Sequence, residues 1–145
     1  MSACTFFGHR DCPTAIKAKM REVLIELIKK QGVEMFYVGN QGAFDRIARS
    51  VLRELKKEYP QIRYAVVLER LPEERIENAD DTLIPEDMET VMPRFAIARR
   101  NQWMLRRCGC VITYVTHSWG GAARYAALAE RQGKTVVNLA ALRKD

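Results

Sequence analysis

Residues 3–8 have the sequence ACTFFG, an apolar run that ends at a glycine and predicts a buried strand. Residues 11–13, Asp-Cys-Pro, are typical of the start of a helix, with proline in the first turn. Apolar residues then recur at helical spacing between residues 16 and 28, and Gly32 is suited to end that helix. A buried strand followed by an amphipathic helix is the repeating unit of a parallel α/β fold.

The alternation of strand and helix continues along the chain. Further strands are predicted at residues 33–39, 62–68, 110–116 and 135–139, and further helices at residues 44–55, 94–107 and 118–131. This order predicts a Rossmann-like, doubly wound α/β fold, with a parallel five-stranded sheet in the order 3-2-1-4-5 and helices on both faces. Residues 70–92 are rich in acids and lack a clear period, so we expect a long loop there with at most one helical turn. Whether that loop is a lid, an oligomer contact or a mobile acidic segment is open.

Length and composition are those of an ordinary globular domain. The chain has 145 residues, of which 48% are hydrophobic and 29% charged, and we expect residues 1–145 to form a single domain. Its apolar runs are shorter than the roughly 18 residues of a membrane span. Residues 1–30 combine a strand with a charged helix, a pattern that differs from a secretory signal. We therefore expect a cytoplasmic protein with no membrane partner.

The four cysteines lack the spacing of a metal site or a redox motif. None is arranged as Cys-x-x-Cys, and Cys108-Gly109-Cys110 has no histidine nearby in sequence to complete a zinc site. In a reducing cytosol Cys4, Cys12, Cys108 and Cys110 should be free thiols. We expect no metal and no cofactor.

The formal net charge of +6 is compatible with a polyanionic partner. Lysines and arginines are nevertheless spread along the chain and mixed with acids. The densest basic group consists of Arg94, Arg99, Arg100, Arg106 and Arg107. This group is either a solvated helix face or a local anion site, and the sequence favours neither.

Three loops are expected to form one site, because they follow the strands around the topological switch point of the predicted sheet. They begin at Gly8, Gly39 and Thr116, and each contains small or polar residues and leads into a helix N-terminus. The unpaired N–H groups and the dipole of a helix N-terminus favour anions, and glycine lets the backbone approach a phosphate closely. The loop residues predicted to bind a ligand are Gly8, His9, Arg10, Gly39, Asn40, Gln41, Gly42, Asp45, Thr116, His117, Ser118, Trp119, Gly120 and Gly121.

Several of these side chains allow more than one role. His9 and His117 are suited to hydrogen bonds with loop backbone, to ligand contact or to proton transfer. Asp45 either interacts with a helix dipole, contacts a ribose hydroxyl or acts as a general base. Arg10 pairs with a phosphate or with a neighbouring acid. Trp119 caps the pocket, stacks on a base or simply packs. The catalytic candidates are Asp45, His9 and His117.

Three familiar nucleotide or hydrolase motifs are absent. No glycine-rich loop ends in Gly-Lys-Ser/Thr, and Gly-x-Gly-x-x-Gly does not follow the first strand, which disfavours a P-loop ATPase and an ordinary dehydrogenase. Ser118 lacks the Gly-x-Ser-x-Gly frame of a nucleophile elbow, so serine hydrolase chemistry is disfavoured.

Four segments carry a resemblance to a known family: FGHR at residues 7–10, GNQGAFD at 39–45, RRNQWM at 99–104 and GGA at 120–122. With these segments the chain resembles the YpsA-like group of the SLOG superfamily, named for its SMF/DprA and LOG branches, over nearly its whole length. The resemblance implies a Rossmann-like fold and a pocket for a nucleotide or an ADP-ribose-like ligand. It also implies that Arg100 and Asn101 face that pocket.

The chain departs from the LOG branch of that superfamily at its catalytic segment. LOG-type phosphoribohydrolases carry Pro-Gly-Gly-x-Gly-Thr followed by glutamates, whereas residues 118–126 here have the sequence SWGGAARYA. The threonine and the acids are missing, and Asp45 is the acid placed to substitute for them.

We therefore expect binding or sensing of a nucleotide or nucleotide-derived, ADP-ribose-like ligand at the carboxyl ends of the strands. Two alternatives stay open: a nucleoside-monophosphate phosphoribohydrolase or N-glycoside hydrolase, and single-stranded DNA binding as in the DprA branch. The sequence does not decide whether any bond is broken, and a nucleic-acid partner is disfavoured.

A homo-oligomer is expected, because the last helix is rich in alanine and another helix could approach it closely. The same alanines are also suited to packing on the sheet. They are Ala122, Ala123, Ala126, Ala127 and Ala129.

Overall fold

Six parallel strands form one sheet in the computed structural model, which describes residues 3–70, 81–86 and 88–141. The strands are β1 (Ala3–Gly8), β2 (Met35–Val38), β3 (Arg63–Val67), β4 (Asp81–Leu83), β5 (Cys110–Tyr114) and β6 (Thr135–Asn138). The helices are α1 (Ile16–Gln31), α2 (Gly42–Glu58), α3 (Pro93–Arg107) and α4 (Gly121–Arg131), with short 3-10 helices at Met88–Thr90 and Leu139–Ala141.

The strand order is β4-β3-β2-β1-β5-β6, with β1 in the interior of the sheet. Thr5 of β1 is paired with Tyr37 of β2 on one side and with Val111 of β5 on the other. Without β4, this is the predicted order, so the Rossmann-like doubly wound fold is confirmed. The order reverses between β1 and β5, and this switch point determines where a ligand crevice forms.

The prediction of five strands is wrong by one, because β4 lies within the segment expected to be a loop. Leu83 is paired with Val67, and the Leu68 N–H donates to the Leu83 carbonyl at 2.8 Å. A strand of three residues is too short for a recognisable period, and the exposed edge of β3 supplies its partner. Residues 71–80 and 87 of the predicted loop lie outside the described residues, and the role of that loop stays open.

Helices cover both faces of the sheet, as predicted. Side chains alternate along β1, so Cys4 and Phe6 pack among apolar residues of α1 and α2. Phe7 points to the opposite face, where it packs among residues of α3 and α4. None of the helices in the described part of the chain is long and apolar enough to cross a bilayer.

Two helices begin later than the sequence predicts. Helix α1 begins at Ile16, after a turn in which the Ile16 N–H donates to the Pro13 carbonyl at 3.3 Å, and it ends at Gly32 with φ of 67°, as expected. Helix α4 begins at Gly121 and not at Ser118, because Gly120 has φ of 93° and is therefore outside the helical region. Residues 118–120 consequently remain in the loop after β5.

Three of the five alanines of α4 face the chain's own core. Ala123, Ala126 and Ala129 are buried, and α4 packs on β1, β5 and β6. Packing on the sheet therefore accounts for these three alanines, and they offer no support for a homo-oligomer, which stays a prediction.

The four cysteines are buried and unpaired. Burial raises the pKa of Cys12 to about 11 and of Cys108 to about 12, so both side chains remain neutral thiols near pH 7. Neither has the character of a nucleophile.

Candidate functional site

A cavity of about 360 Å³ lies at the carboxyl ends of the strands around the switch point. Its walls come from the loops after β1, β2 and β5, together with helix α3 and the first turn of α4. The lining residues are Phe6, Phe7, Gly8, His9, Arg10, Asp11, Gln41, Asp45, Ile97, Arg100, Asn101, His117, Trp119, Gly120, Gly121 and Ala122. The volume falls within the range of about 300–1,000 Å³ that is usual for small-molecule sites.

The structure brings eleven of the sixteen predicted ligand residues to this cavity. They are Gly8, His9, Arg10, Gln41, Asp45, Arg100, Asn101, His117, Trp119, Gly120 and Gly121. The other five, which do not line it, are Gly39, Asn40, Gly42, Thr116 and Ser118. The three predicted loops thus meet at one place, and their role as ligand residues stays a prediction.

Two of the five remaining residues are glycines that hold the loops in position. A Cβ at Gly39 would lie 2.7 Å from Asp45 Oδ2 and 2.8 Å from Arg100 Nη1. Gly42 has φ of 82°, and its Cα faces the backbone of Arg10 closely enough that a Cβ would lie 2.8 Å from the Arg10 Cα. Gly42 therefore requires glycine for packing inside the protein, and a side chain at position 39 would displace the ends of the Asp45 and Arg100 side chains, in both cases without reference to a ligand.

Arg100 forms the centre of a buried polar group in the cavity wall. It is only 3% exposed, and its Nε and Nη2 both donate to Asn101 Oδ1, at 3.2 and 3.0 Å. Its Nη1 lies 3.6 Å from Glu69 Oε2, and neither of these two atoms has a hydrogen-bond partner among the described residues. The two atoms thus form an ion pair without a hydrogen bond, which leaves part of the hydrogen-bonding capacity of both groups unused.

Asp45 completes this group from the first turn of α2. Its Oδ2 accepts the backbone N–H of Gln41 at 2.9 Å, so part of its role is to hold the start of the helix. Burial raises the pKa of Asp45, while the nearby Arg100 guanidinium and the Gln41 N–H act to lower it. Burial lowers the pKa of Arg100, against the effect of Asp45 and Glu69. Two carboxyl groups thus share one guanidinium in a poorly solvated place.

Glu69 is the member of this group that the sequence analysis missed. It is a buried acid, and its Oε1 accepts a hydrogen bond from Gln41 Nε2 at 2.9 Å. Its position directly after the apolar residues of β3 was the available indication, since a polar residue at the carboxyl end of a strand faces the ligand edge of such a sheet.

The start of α4 forms another wall of the cavity. Gly120 supplies no side chain to cap the helix, so its first N–H groups receive no side-chain partner from the described residues. Apart from its chain neighbours and the backbone of its own helix, a Cβ built on Gly121 would meet no protein atom within 4 Å. The backbone of Gly120 and Gly121 thus lines the cavity without a side chain. The packing of the protein itself does not require glycine at position 121.

Three rings stack in a row at the cavity wall. The His117 ring lies 3.7 Å from the His9 ring and 3.7 Å from the Trp119 ring, with interplanar angles of 13° and 16°. His9 Nε2 accepts the backbone N–H of Thr116 at 2.9 Å, and His117 Nδ1 donates to the Trp119 carbonyl at 3.0 Å. Each histidine therefore uses one ring nitrogen for a hydrogen bond with the loop backbone, which is one of the three roles that the sequence allows.

The arginines that the sequence groups together point in different directions. Arg100 alone is buried at the cavity, whereas Arg94, Arg99, Arg106 and Arg107 are exposed. The Arg107 guanidinium lies over the Trp103 ring at 3.7 Å from its centroid, and that of Arg94 over the Phe95 ring at 4.8 Å. Four of the five arginines therefore lie on a solvated face, whereas a local anion site at Arg100 stays a prediction.

Comparison with known proteins gives a likeness of fold. No protein-family model matches the chain, and no curated protein matches it. The X-ray structure of DNA processing protein A (DprA) from Streptococcus pneumoniae is similar to this chain with a TM-score of 0.69 and 16% sequence identity. The match covers 94% of this chain and 49% of the DprA chain, so this chain spans about half the length of that protein.

At 16% sequence identity this likeness shows the fold alone and does not extend to the YpsA-like group. That protein is named for DNA processing. The likeness therefore does not support the prediction that a nucleic-acid partner is disfavoured. What the comparison establishes is that this chain has a Rossmann-like fold that resembles about half of DprA.

Proposed function

We propose that the cavity binds a nucleotide or a nucleotide-derived ligand of the ADP-ribose kind, and that the chain belongs to the YpsA-like group. The observation that carries the proposal is the buried Arg100, whose Nη1 faces Glu69 without a hydrogen bond in the wall of a ligand-sized cavity. Buried polar atoms are normally hydrogen-bonded, so a guanidinium nitrogen that is only ion-paired at this place favours a polar ligand that completes the hydrogen bonding of the group.

The charges of the wall favour hydroxyl groups on that ligand. Asp45 and Glu69 together bring two carboxyl groups against the one guanidinium of Arg100. Carboxylate oxygens accept hydrogen bonds, and a ribose offers vicinal hydroxyl donors to such acceptors. Of the two acids Asp45 lines the cavity, so a sugar at this wall would donate its hydroxyl groups to Asp45.

The start of α4 supports an anionic group on the same ligand. The bare backbone of Gly120 and Gly121 lines the cavity, and the helix has no side-chain cap within the described residues. A phosphate at such a helix N-terminus gains N–H donors and a favourable dipole. Sugar and phosphate together correspond to a nucleotide or one of its derivatives.

Replacement of Gly121 by leucine tests this proposal. No protein atom lies within 4 Å of a Cβ at this position, so the variant should fold normally while its side chain covers the helix N-terminus. We expect the affinity for adenosine monophosphate, ADP-ribose or ribose 5-phosphate, measured by isothermal titration calorimetry, to fall by roughly 10- to 100-fold through loss of charge-assisted hydrogen bonds.

Ala127→Leu is the matched control, since Ala127 is exposed on the same helix and does not line the cavity. Its affinity should equal that of the wild type. The proposal is wrong if the wild type binds none of these ligands, or if both leucine variants bind as the wild type does.

A second candidate, hydrolysis of the N-glycosidic bond of a nucleoside monophosphate, is favoured by Asp45. Burial raises the pKa of this carboxyl group at the cavity wall, which suits a group that donates a proton to a departing base. Release of free adenine from adenosine monophosphate by the wild type, and its loss in Asp45→Asn, would favour the hydrolase over a binding module.

A further inference from the structure

The aromatic stack ends at a tryptophan that has a free face. Both faces of the His117 ring are covered, one by His9 and the other by Trp119. The Trp119 ring is covered by His117 on one face, yet its residue is 69% exposed although it lines the cavity. A large apolar ring left open at a cavity wall is a feature of a ligand surface and not of a packed core.

The orientation of that ring is held in place before any ligand binds. His117 Nδ1 donates a hydrogen bond to the Trp119 carbonyl, and His9 Nε2 accepts one from the Thr116 N–H. The stack of three rings therefore runs from a buried histidine at the end of β1 to the exposed indole. A surface ordered in advance loses little entropy when a flat ligand binds to it.

The position of the indole relates it to the phosphate end of the proposed site. Trp119 directly precedes Gly120 and Gly121, which form the bare start of α4. A ligand whose phosphate approaches these glycines has its remaining part close to Trp119. The part of a nucleotide that fits a free π-face is its base.

We propose that the free face of Trp119 stacks on the base of the bound nucleotide, as the fourth ring of the row formed by His9, His117 and Trp119. This inference rests on the proposed function and makes it more specific. Stacking on a π-face is tolerant of base identity, so the site distinguishes base-bearing nucleotides from base-free sugar phosphates more strongly than it distinguishes adenine from guanine.

The test compares Trp119→Leu and Trp119→Phe with the wild type, using adenosine monophosphate and ribose 5-phosphate as the two ligands. Both variants should fold, because the side chain is exposed. In calorimetric titrations Trp119→Leu should weaken adenosine monophosphate binding by roughly 5- to 100-fold, from the usual strength of base stacking, and change ribose 5-phosphate binding by less than about twofold. Trp119→Phe, which keeps a π-face, should recover most of the loss.

Tryptophan fluorescence gives a second readout. Adenosine monophosphate should quench the emission of the wild type and ribose 5-phosphate should not, and the quenching should disappear in Trp119→Phe, which retains only Trp103. Equal weakening of both ligands by Trp119→Leu, or no weakening of either, would overturn the stacking proposal and leave the proposed function intact. Failure of the wild type to bind either ligand would overturn both.

Discussion

Individual residues in this protein have roles that depend on what surrounds them. Arg100 belongs to a basic group of five in the sequence, yet it alone is buried, beside Asp45 and Glu69. Asp45 holds the start of α2 through the Gln41 N–H and also lines the cavity, so two of its suggested roles are compatible. His9 accepts a backbone N–H through Nε2 and is therefore a weaker candidate for a general base than its position in the loop suggests.

The pH dependence of stability provides a test at the residue scale. Burial, followed by the charge of His117, lowers the pKa of His9 below its ordinary value of 6.5, while Asp11 acts in the opposite direction. The unfolded chain then binds a proton more readily than the folded one. The contribution of neutral His9 is present above pH 6.5 and is lost as the pH falls from there towards the lower pKa of the folded state.

Urea denaturation at two pH values on either side of that interval measures this effect. We expect the wild type to lose more free energy of unfolding between the higher and the lower pH than His9→Gln, whose amide oxygen can still accept the Thr116 N–H. Equal losses in the two proteins would show that His9 is not the titrating group.

At the scale of elements, the site depends on how closely α2 approaches β1. Gly8 ends β1 directly beneath the Phe44 ring of α2, and a Cβ at position 8 would overlap that ring. The Ala43 N–H donates to the Arg10 carbonyl at 2.9 Å, which links the loop after β1 to the first turn of α2. The two loops are therefore joined before any ligand is considered.

Gly8→Ala should reduce the free energy of unfolding by about 1–3 kcal/mol, because the added methyl group overpacks a buried contact. Gly121→Ala is the matched change at a position with no protein atom within 4 Å, and it should leave stability unchanged or raise it by up to about 1 kcal/mol. Chemical denaturation of the two variants and the wild type gives the comparison. If Gly8→Ala has the same free energy of unfolding as the wild type, the Phe44 ring can move aside without loss of stability.

The whole molecule combines a positive net charge with a fold that resembles about half of DprA. The four exposed arginines of α3 belong to the solvated surface, and two of them lie over aromatic rings of their own helix. A charge of +6 raises the encounter rate with any polyanion but does not by itself create a binding groove.

We therefore expect a fluorescent single-stranded oligonucleotide to bind with a dissociation constant weaker than about 10 µM even at low salt, where phosphate contacts are strongest. Fluorescence anisotropy at increasing salt measures this directly. Submicromolar binding that weakens steeply with salt, and that is lost in an Arg99→Ala, Arg106→Ala double variant, would instead favour the DNA-binding alternative.

The sequence by itself determined the order of the strands, the two helical layers and the meeting of three loops. These follow from local periodicity and from the right-handed crossovers of parallel strands, which leave few possible arrangements. It did not predict β4, whose three residues depend on the free edge of β3 for their pairing.

Only the tertiary structure decided the contacts within the site. Glu69 meets Arg100, and His9 meets Thr116 and His117, between residues that are far apart in the chain. Such contacts depend on side-chain burial and on loop conformations that no local pattern specifies. Periodicity brings the loops to one edge of the sheet, whereas packing decides which of their side chains point into the cavity, because each must first satisfy its own hydrogen bonds and volume.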